Sequence, residues 1–225
     1  MLDPKNSYFK YRIFFAKKGL ARFIGHLDLQ SLFIKAIKRA GLPMAYSQGF
    51  NPHPLISFAM PLSLGMTGHN EILEIFIVEE TAPERVLGRL QEQMPNGLTI
   101  NKVIEVSSMG KSAAALVYAA KYAISLVDLP FGPNMSEVVI RQLEERPLLA
   151  EIKGKKSTKI EDIGPNILNL EYCLNTGRLL ATLAAGSSNN LKPQILGELF
   201  ANLMGVKISH GKITYERLEM LMKQP

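Results

Sequence analysis

Two short segments in the first quarter of the chain combine side chains that can bind an anion or move a proton. In the first segment, Gly25 precedes His26 and Asp28 where an extended stretch is expected to give way to a helix. The helix dipole favours a carboxylate in the first turn, and free backbone amides at a helix start can bind a phosphate. Cations lie just before this corner, at Lys17, Lys18 and Arg22. A purely structural alternative is that Asp28 caps backbone amides and His26 bonds to a loop.

The second segment, residues 45–58, reads "AYSQGFNPHPLISF" and holds polar and aromatic residues among one glycine and two prolines. The side chains that can contact a ligand are Tyr46, Gln48, Phe50, Asn51 and His53. Aromatic rings can stack on unpaired bases while amides read base edges, as in sites for single-stranded nucleic acid. Alternatively, Phe50 fills the core and the prolines shape a turn. We expect the two segments to gather into a single hollow.

The positive charge of the chain is concentrated in its first third. The formal net charge is +6, and residues 1–70 hold nine Lys or Arg against two Asp, which leaves −1 for the remainder. This asymmetry predicts an anionic partner, with Lys35 and Lys38 extending the basic surface around the corner. The alternative is a solvated surface that only keeps the protein in solution.

Several classes of site are not expected. The histidines of the first 70 residues lack helical spacing and a completing carboxylate, so no metal is predicted. "LSLGMTGHN" matches neither a Walker A loop nor a dinucleotide fingerprint. A single cysteine, Cys173, excludes an internal disulfide and an all-cysteine cluster, and it favours a cytoplasmic protein. No apolar run is long enough to span a membrane, and no cofactor is expected.

The hydrophobic pattern predicts an α+β protein of two tandem ferredoxin-like (βαββαβ) domains, each an antiparallel sheet with helices on one face. Residues 1–108 form the basic N-terminal domain, which carries both segments and leaves its other sheet face open. Its first strand is expected to be half-buried, and Thr81 with Glu84 predicts a capping box before its second helix. Residues 109–225 repeat the order, with a helix near 136–146 and an added hairpin turning near Gly154.

Residues 8–80 resemble a bacterial family known as radical-SAM-linked proteins, whose function is unassigned. The resemblance is carried by Arg22-Phe23, Gly25-His26-Leu27-Asp28, Arg39-Ala40-Gly41-Leu42-Pro43 and Tyr46-Ser47-x-Gly49-Phe50-Asn51-Pro52-His53-Pro54. It implies a radical SAM enzyme, encoded nearby, as partner, and it supplies no catalytic residue.

We therefore expect a non-catalytic accessory module that binds RNA or another anionic substrate for a partner radical SAM enzyme. One alternative is a metal-independent endoribonuclease in which His26 or His53 exchanges protons, since a histidine titrates near neutrality. The other is a protein–protein adaptor. The sequence predicts no oligomeric state.

Overall fold

The computed structural model describes residues 8–126, 141–153, 157–173, 176–186, 189–203, 205 and 213–224. The chain divides into two compact units, of which unit 1 is Met1–Val117 with Met222–Pro225 and unit 2 is Tyr118–Leu221. The sequence predicted a division at residues 108 and 109. The protein is mixed α+β, with mostly antiparallel strands and few helices. None of the helices described in these ranges has the length and apolar character needed to cross a membrane.

Four strands form the sheet of unit 1. They are β1 (Phe9–Lys17), β2 (Ile56–Phe58), β3 (Thr67–Ile77) and β4 (Leu98–Val106). Their spatial order is β4-β1-β3-β2, and each neighbouring pair is antiparallel. Residue Arg12 of β1 lies opposite Glu74 of β3 and Ile104 of β4. The first strand of the chain is therefore central in this sheet.

Two helices of unit 1 supply apolar side chains to its core. Helix α1 (His26–Arg39) buries Leu29, Phe33, Ala36 and Ile37, whose three- and four-residue spacing places them on one face. Helix α2 (Pro83–Gln91) buries Val86 and Leu90. They join a cluster with alternate strand residues, among them Tyr11, Ile13, Phe15, Leu73 and Ile75. Full burial of an apolar side chain the size of Leu29, Phe33 or Ile37 contributes about 1.5–3 kcal/mol to the free energy of folding. Gly41 follows α1 at φ 64°, a conformation that favours glycine.

The other side of β1 differs from the expected open face. Lys10 and Arg12 are buried, and both pair with the buried carboxylate of Glu74. The Nζ of Lys10 lies 3.2 Å from Oε2, while Nη2 and Nε of Arg12 donate to Oε1 at 2.8 and 3.1 Å. The expectation of a half-buried strand with an open second face was wrong, because side chains on both sides of β1 are buried and Glu74 on the neighbouring strand pairs with both cations.

The start of α2 also differs from the predicted capping box. Its N-cap is Ala82, and no side chain caps the helix. The Thr81 amide instead donates to the Tyr11 hydroxyl, and that hydroxyl donates to the Thr81 carbonyl at 2.7 Å. Burial raises the pKa of Tyr11, which keeps the phenol protonated as a donor. The threonine thus ties α2 to β1.

A short helix, α3 (Ala113–Leu116), follows β4, and the strands β5 to β10 come after it. They are β5 (Val117–Leu126), β6 (Leu149–Lys153), β7 (Thr158–Asp162), β8 (Ile167–Cys173), β9 (Arg178–Ala184) and β10 (Ile213–Met222). Four of them are ordered β10-β5-β9-β8, while β6 and β7 form a separate antiparallel hairpin. Helix α4 (Pro193–Leu203) buries Leu196 and Phe200. Residues 141–144 are helical, whereas residues 136–140 of the helix predicted over 136–146, like the turn near Gly154, lie outside the described residues.

Candidate nucleic-acid interface

The histidine-bearing corner is built from a 3₁₀ helix, η1 (Gly19–Phe23), followed by α1. The Lys18 amide donates to the carbonyl of Gly97 at 2.8 Å, which anchors η1 next to the start of β4. Gly25 is the N-cap of α1 and its carbonyl accepts from Leu29. A β-carbon on Gly25 would lie 3.3 Å from the Asp28 carboxylate, so this position is crowded by the first helical turn.

The buried side chain of Lys17 stabilises the backbone of this corner. Its side chain is 1% exposed, and its Nζ donates to the carbonyl of Ile24 at 2.7 Å. The expectation of an exposed cation at this position was wrong, because the side chain runs inward to the backbone that leads into α1. Lys18, next in sequence, is exposed, and Arg22 is partly buried.

His26 and Asp28 are exposed in the first turn of α1. The His26 ring meets the ring of Phe58 on β2 edge to face, with 5.2 Å between centroids. Phe58 in turn contacts Phe15 and Phe33 of the core. The histidine therefore covers an aromatic cluster that joins β2 to α1, which is a structural contact.

The loop over residues 46–53 is closed at its base by its own polar groups. Ser47 Oγ and His53 Nδ1 share a hydrogen bond of 2.8 Å, and the His53 amide donates to the same oxygen at 3.1 Å. The Ser47 amide donates to the His53 carbonyl, and Tyr46 pairs with Pro54 as an isolated bridge. Gly49 at φ 127° allows the chain to reverse at the tip. The loop is thus a closed projection with a fixed base.

The tip of this loop presents its side chains to solvent. The exposed residues are Tyr46, Gln48, Gly49, Phe50, Asn51, Pro52 and His53. Phe50 is fully exposed, so it does not fill the core. An aromatic ring left in water at a loop tip is able to stack on a flat partner, and the neighbouring amides can donate and accept hydrogen bonds.

The loop lies against the basic end of α1. The Nζ of Lys38 sits 6.0 Å from the centre of the Tyr46 ring, within the range of a cation–π contact. Lys35 is exposed one turn earlier. Arg39 is also exposed and donates to the side chain and the carbonyl of Gln93 at 3.2 and 3.3 Å. Together the loop and these cations form a surface, here called the aromatic loop surface, defined by Lys35, Lys38, Tyr46, Gln48, Phe50, Asn51 and His53.

The two predicted segments meet at Phe58, which contacts His26, but the loop of the second segment lies toward the other end of α1. His26 is the first residue of α1, whereas Tyr46 contacts Lys38 near its last turn. At a rise of 1.5 Å per residue, these points are about 18 Å apart along the helix. The corner residues Lys18, Arg22, His26 and Asp28 thus lie at one end of α1, and the aromatic loop surface lies at the other.

Two residues that organise these groups were missed by the sequence interpretation. Ser47 closes the loop, and Phe58 meets His26. No local sequence pattern identifies Ser47 or Phe58, because the partner of each is brought close only by the folded path of the chain. Within the described ranges, no three His, Cys, Asp or Glu side chains lie close enough together to hold a metal ion.

Comparisons with known proteins place this chain in a family. A comparison with curated proteins found no match. Among solved structures, one similar chain is the crystal structure of a proposed glycine cleavage system transcriptional repressor. It is 10% identical, with 93% of this chain and 98% of that chain covered and a TM-score of 0.25. The family described as "Uncharacterized protein conserved in bacteria (DUF2344)" matches residues 10–193. Since that match covers most of the 225 residues, the chain belongs to this bacterial family.

Proposed function

We propose that this protein is a non-catalytic RNA-binding module whose contact with single-stranded RNA is the aromatic loop surface. The observation that carries the proposal is Phe50, which is fully exposed at the tip of a loop whose base is fixed by Ser47 and His53. Stacking of a base on such a ring contributes about 1–3 kcal/mol and is tolerant of sequence. A fixed base means that little loop entropy is lost on binding.

The charges next to the loop support an anionic partner. Lys35 and Lys38 project from the last turns of α1, and Lys38 already lies against the ring of Tyr46. Cations beside exposed rings match the alternation of phosphates and bases along a single strand. Gln48 and Asn51 at the tip supply donors and acceptors for base edges.

The fold that carries this surface is, in our proposal, a pair of ferredoxin-like domains. Within each unit, the first strand lies between the last and the third of its four main strands. In unit 1 the order is β4-β1-β3-β2, and in unit 2 it is β10-β5-β9-β8, with the β6–β7 hairpin added. This order supports the split βαβ interpretation of both halves.

The partner in this proposal is a radical SAM enzyme, as the resemblance over residues 8–80 implies. The RNA, or another anionic substrate, would be held by this chain while the partner performs the chemistry. Co-purification of this chain with the radical SAM protein encoded beside it, after nuclease treatment, tests that part. If nuclease treatment abolishes co-purification, the two proteins are linked through a shared RNA and not by direct contact.

RNA binding is tested by fluorescence anisotropy with a short labelled single-stranded RNA, titrated from about 50 to 200 mM salt. We expect Phe50→Ala to weaken binding about 5- to 150-fold, the equivalent of one stacked base. Met109→Ala is the matched control, because Met109 is an exposed apolar side chain of unit 1 outside the loop. The RNA should be recovered uncut, since the module is non-catalytic.

Two results would overturn this proposal. One is the lack of measurable binding by the wild-type chain at the lowest salt concentration. The other is equal affinity of wild type and Phe50→Ala. Cleavage of the RNA in the presence of EDTA, lost in His53→Ala or His26→Ala, would instead assign the chain to the endoribonuclease alternative.

A further inference from the structure

A second surface of unit 1, at the other end of α1, exposes large apolar side chains. Leu20, Phe23, Leu27 and Leu64 are each between 56% and 87% exposed. Three of them fall within eight consecutive residues, so they are not scattered singly. We call this surface the apolar corner. Isolated exposed apolar residues are ordinary, whereas a group of them on a small surface marks an interaction site.

The backbone brings the members of the apolar corner together. Leu20 and Phe23 are three residues apart in η1, and in a 3₁₀ helix this spacing puts two side chains on the same side. The amide of Gly65 donates to the carbonyl of Arg22 at 3.0 Å. A β-carbon on Gly65 would lie 3.7 Å from the Phe23 ring, so the segment that carries Leu64 runs beside η1. Leu27 follows in the first turn of α1.

Two cations and one acid border the apolar corner: Asp28 is exposed next to Leu27, while Arg22 and Lys18 lie on the side of η1. The Arg22 guanidinium lies over the Phe23 ring, 4.8 Å from its centre. Its Nε is buried and has no hydrogen-bond acceptor among the described residues. A buried donor without an acceptor costs about 1–3 kcal/mol, more when it is charged. The Arg22 side chain is only partly buried, and a rotation that brings its Nε to a partner's carboxylate would remove that cost. Lys18, exposed just before η1, adds a second cation.

We propose that the apolar corner binds another protein through a segment that presents apolar side chains bordered by Asp or Glu, with one carboxylate reaching Arg22. A protein fits better than RNA, because three of the four exposed side chains are leucines, which offer no ring on which a base can stack. We expect acidic residues at the border of the partner segment because Arg22 and Lys18 are positively charged. Full burial of each apolar side chain in the complex would contribute about 1.5–3 kcal/mol before the costs of association. The surface is separate from the aromatic loop surface, so the protein can hold both partners at once.

The experiment is a selection of displayed random peptides on the immobilised full chain. We expect enriched peptides that combine Leu, Phe or similar residues with Asp or Glu, and we expect a synthetic copy of the strongest peptide to bind in solution. Phe23→Ser with Leu27→Ser should weaken that peptide at least about tenfold, the effect of removing one well-buried apolar contact. Arg22→Gln should weaken it as well. A version of the peptide with Asn and Gln in place of Asp and Glu should bind the wild type and Arg22→Gln with equal affinity.

Controls separate this surface from the proposed RNA site. Met109→Ser, at another exposed apolar side chain of unit 1, should leave peptide binding unchanged. Phe50→Ala should also leave it unchanged, while the corner variants should keep the RNA affinity of the wild type. Phe23, Leu27, Phe50 and Met109 are exposed and Arg22 is partly buried, so thermal melts are recorded for every variant to show that it remains folded.

Four outcomes would overturn the proposal. Enrichment of basic peptides, or a failure to enrich any sequence, contradicts an acidic apolar partner. Binding that persists in the Phe23→Ser, Leu27→Ser variant places the peptide elsewhere. Self-association of the wild-type chain in sedimentation experiments, abolished by the same variant, would assign the apolar corner to a second copy of this chain.

Discussion

At the scale of single residues, Lys17 shows how one cation can be taken out of the surface by the fold. Lysine is almost never fully buried unless it is paired, so its sequence position suggested an exposed charge. Its ammonium instead donates to the carbonyl of Ile24, one residue before the N-cap of α1. The side chain thus fixes the backbone at the corner, and Lys18 beside it remains in solvent.

The first prediction at this scale is that Lys17→Met lowers the free energy of unfolding by about 1–3 kcal/mol, because methionine keeps the stem and removes the charged donor from Ile24. Urea denaturation followed by circular dichroism measures the effect. Lys18→Met is the matched control, since it changes the same atoms at an exposed position and should cost less than about 0.5 kcal/mol. Equal midpoints for the two variants would contradict the structural role of Lys17.

At the scale of elements, β1 shows which part of the fold its own sequence can determine. The alternation of apolar and charged residues along β1 predicts that Tyr11, Ile13 and Phe15 share one side, and all three are buried in the core. The same pattern placed Lys10 and Arg12 on the other side without showing that they are buried. Their partner, Glu74, is 62 residues from Arg12 and meets it only through the register of β1 with β3. Strand register is a tertiary property, so a local pattern does not contain it.

The buried charge group gives the prediction for this scale. Glu74→Ala leaves two buried cations without their carboxylate, and we expect it to lower the free energy of unfolding by about 3–5 kcal/mol. Glu219→Ala is the matched control, because Glu219 pairs with Lys121 at 3.1 Å with both side chains about half exposed. Such a surface pair should contribute less than about 1 kcal/mol. Chemical denaturation of both variants measures the difference, and similar losses would contradict the importance of burial.

The candidate site was predicted in its residues but not in its geometry. The exposed loop side chains of residues 46–53 were recognised from their types, because aromatic and amide residues among glycine and proline favour a projecting loop. The sequence did not show which end of α1 the loop contacts. Tyr46 meets Lys38 and not His26, and this choice is set by the path of the chain after α1. The apolar corner was likewise hidden, since exposure of Leu20 or Leu27 is not a property of their sequence neighbourhood.

At the scale of the whole molecule, the net charge of +6 overstates the surface available to an anion. Of the nine Lys and Arg in residues 1–70, Lys10, Arg12 and Lys17 are buried and hydrogen-bonded or ion-paired within the chain. Among the described residues, the exposed cations of this part of the chain are Lys35, Lys38 and Arg39 on α1 and Lys18 just before η1, near the apolar corner. RNA binding should therefore depend more on the positions of the exposed cations than on the net charge of the chain.

Two charge-reversal variants with the same net charge test this distinction. Lys35→Glu with Lys38→Glu, and Lys159→Glu with Lys192→Glu, each replace two exposed lysines and lower the formal net charge equally. In our proposal, the first pair removes two phosphate contacts of the aromatic loop surface. We expect it to weaken RNA binding at least about tenfold and to reduce the slope of log affinity against log salt by about 1.4, at about 0.7 per contact with a single strand. The second pair, in unit 2, should change the slope little. Equal losses would mean that the RNA responds to net charge alone, and the aromatic loop surface would then not be the binding site.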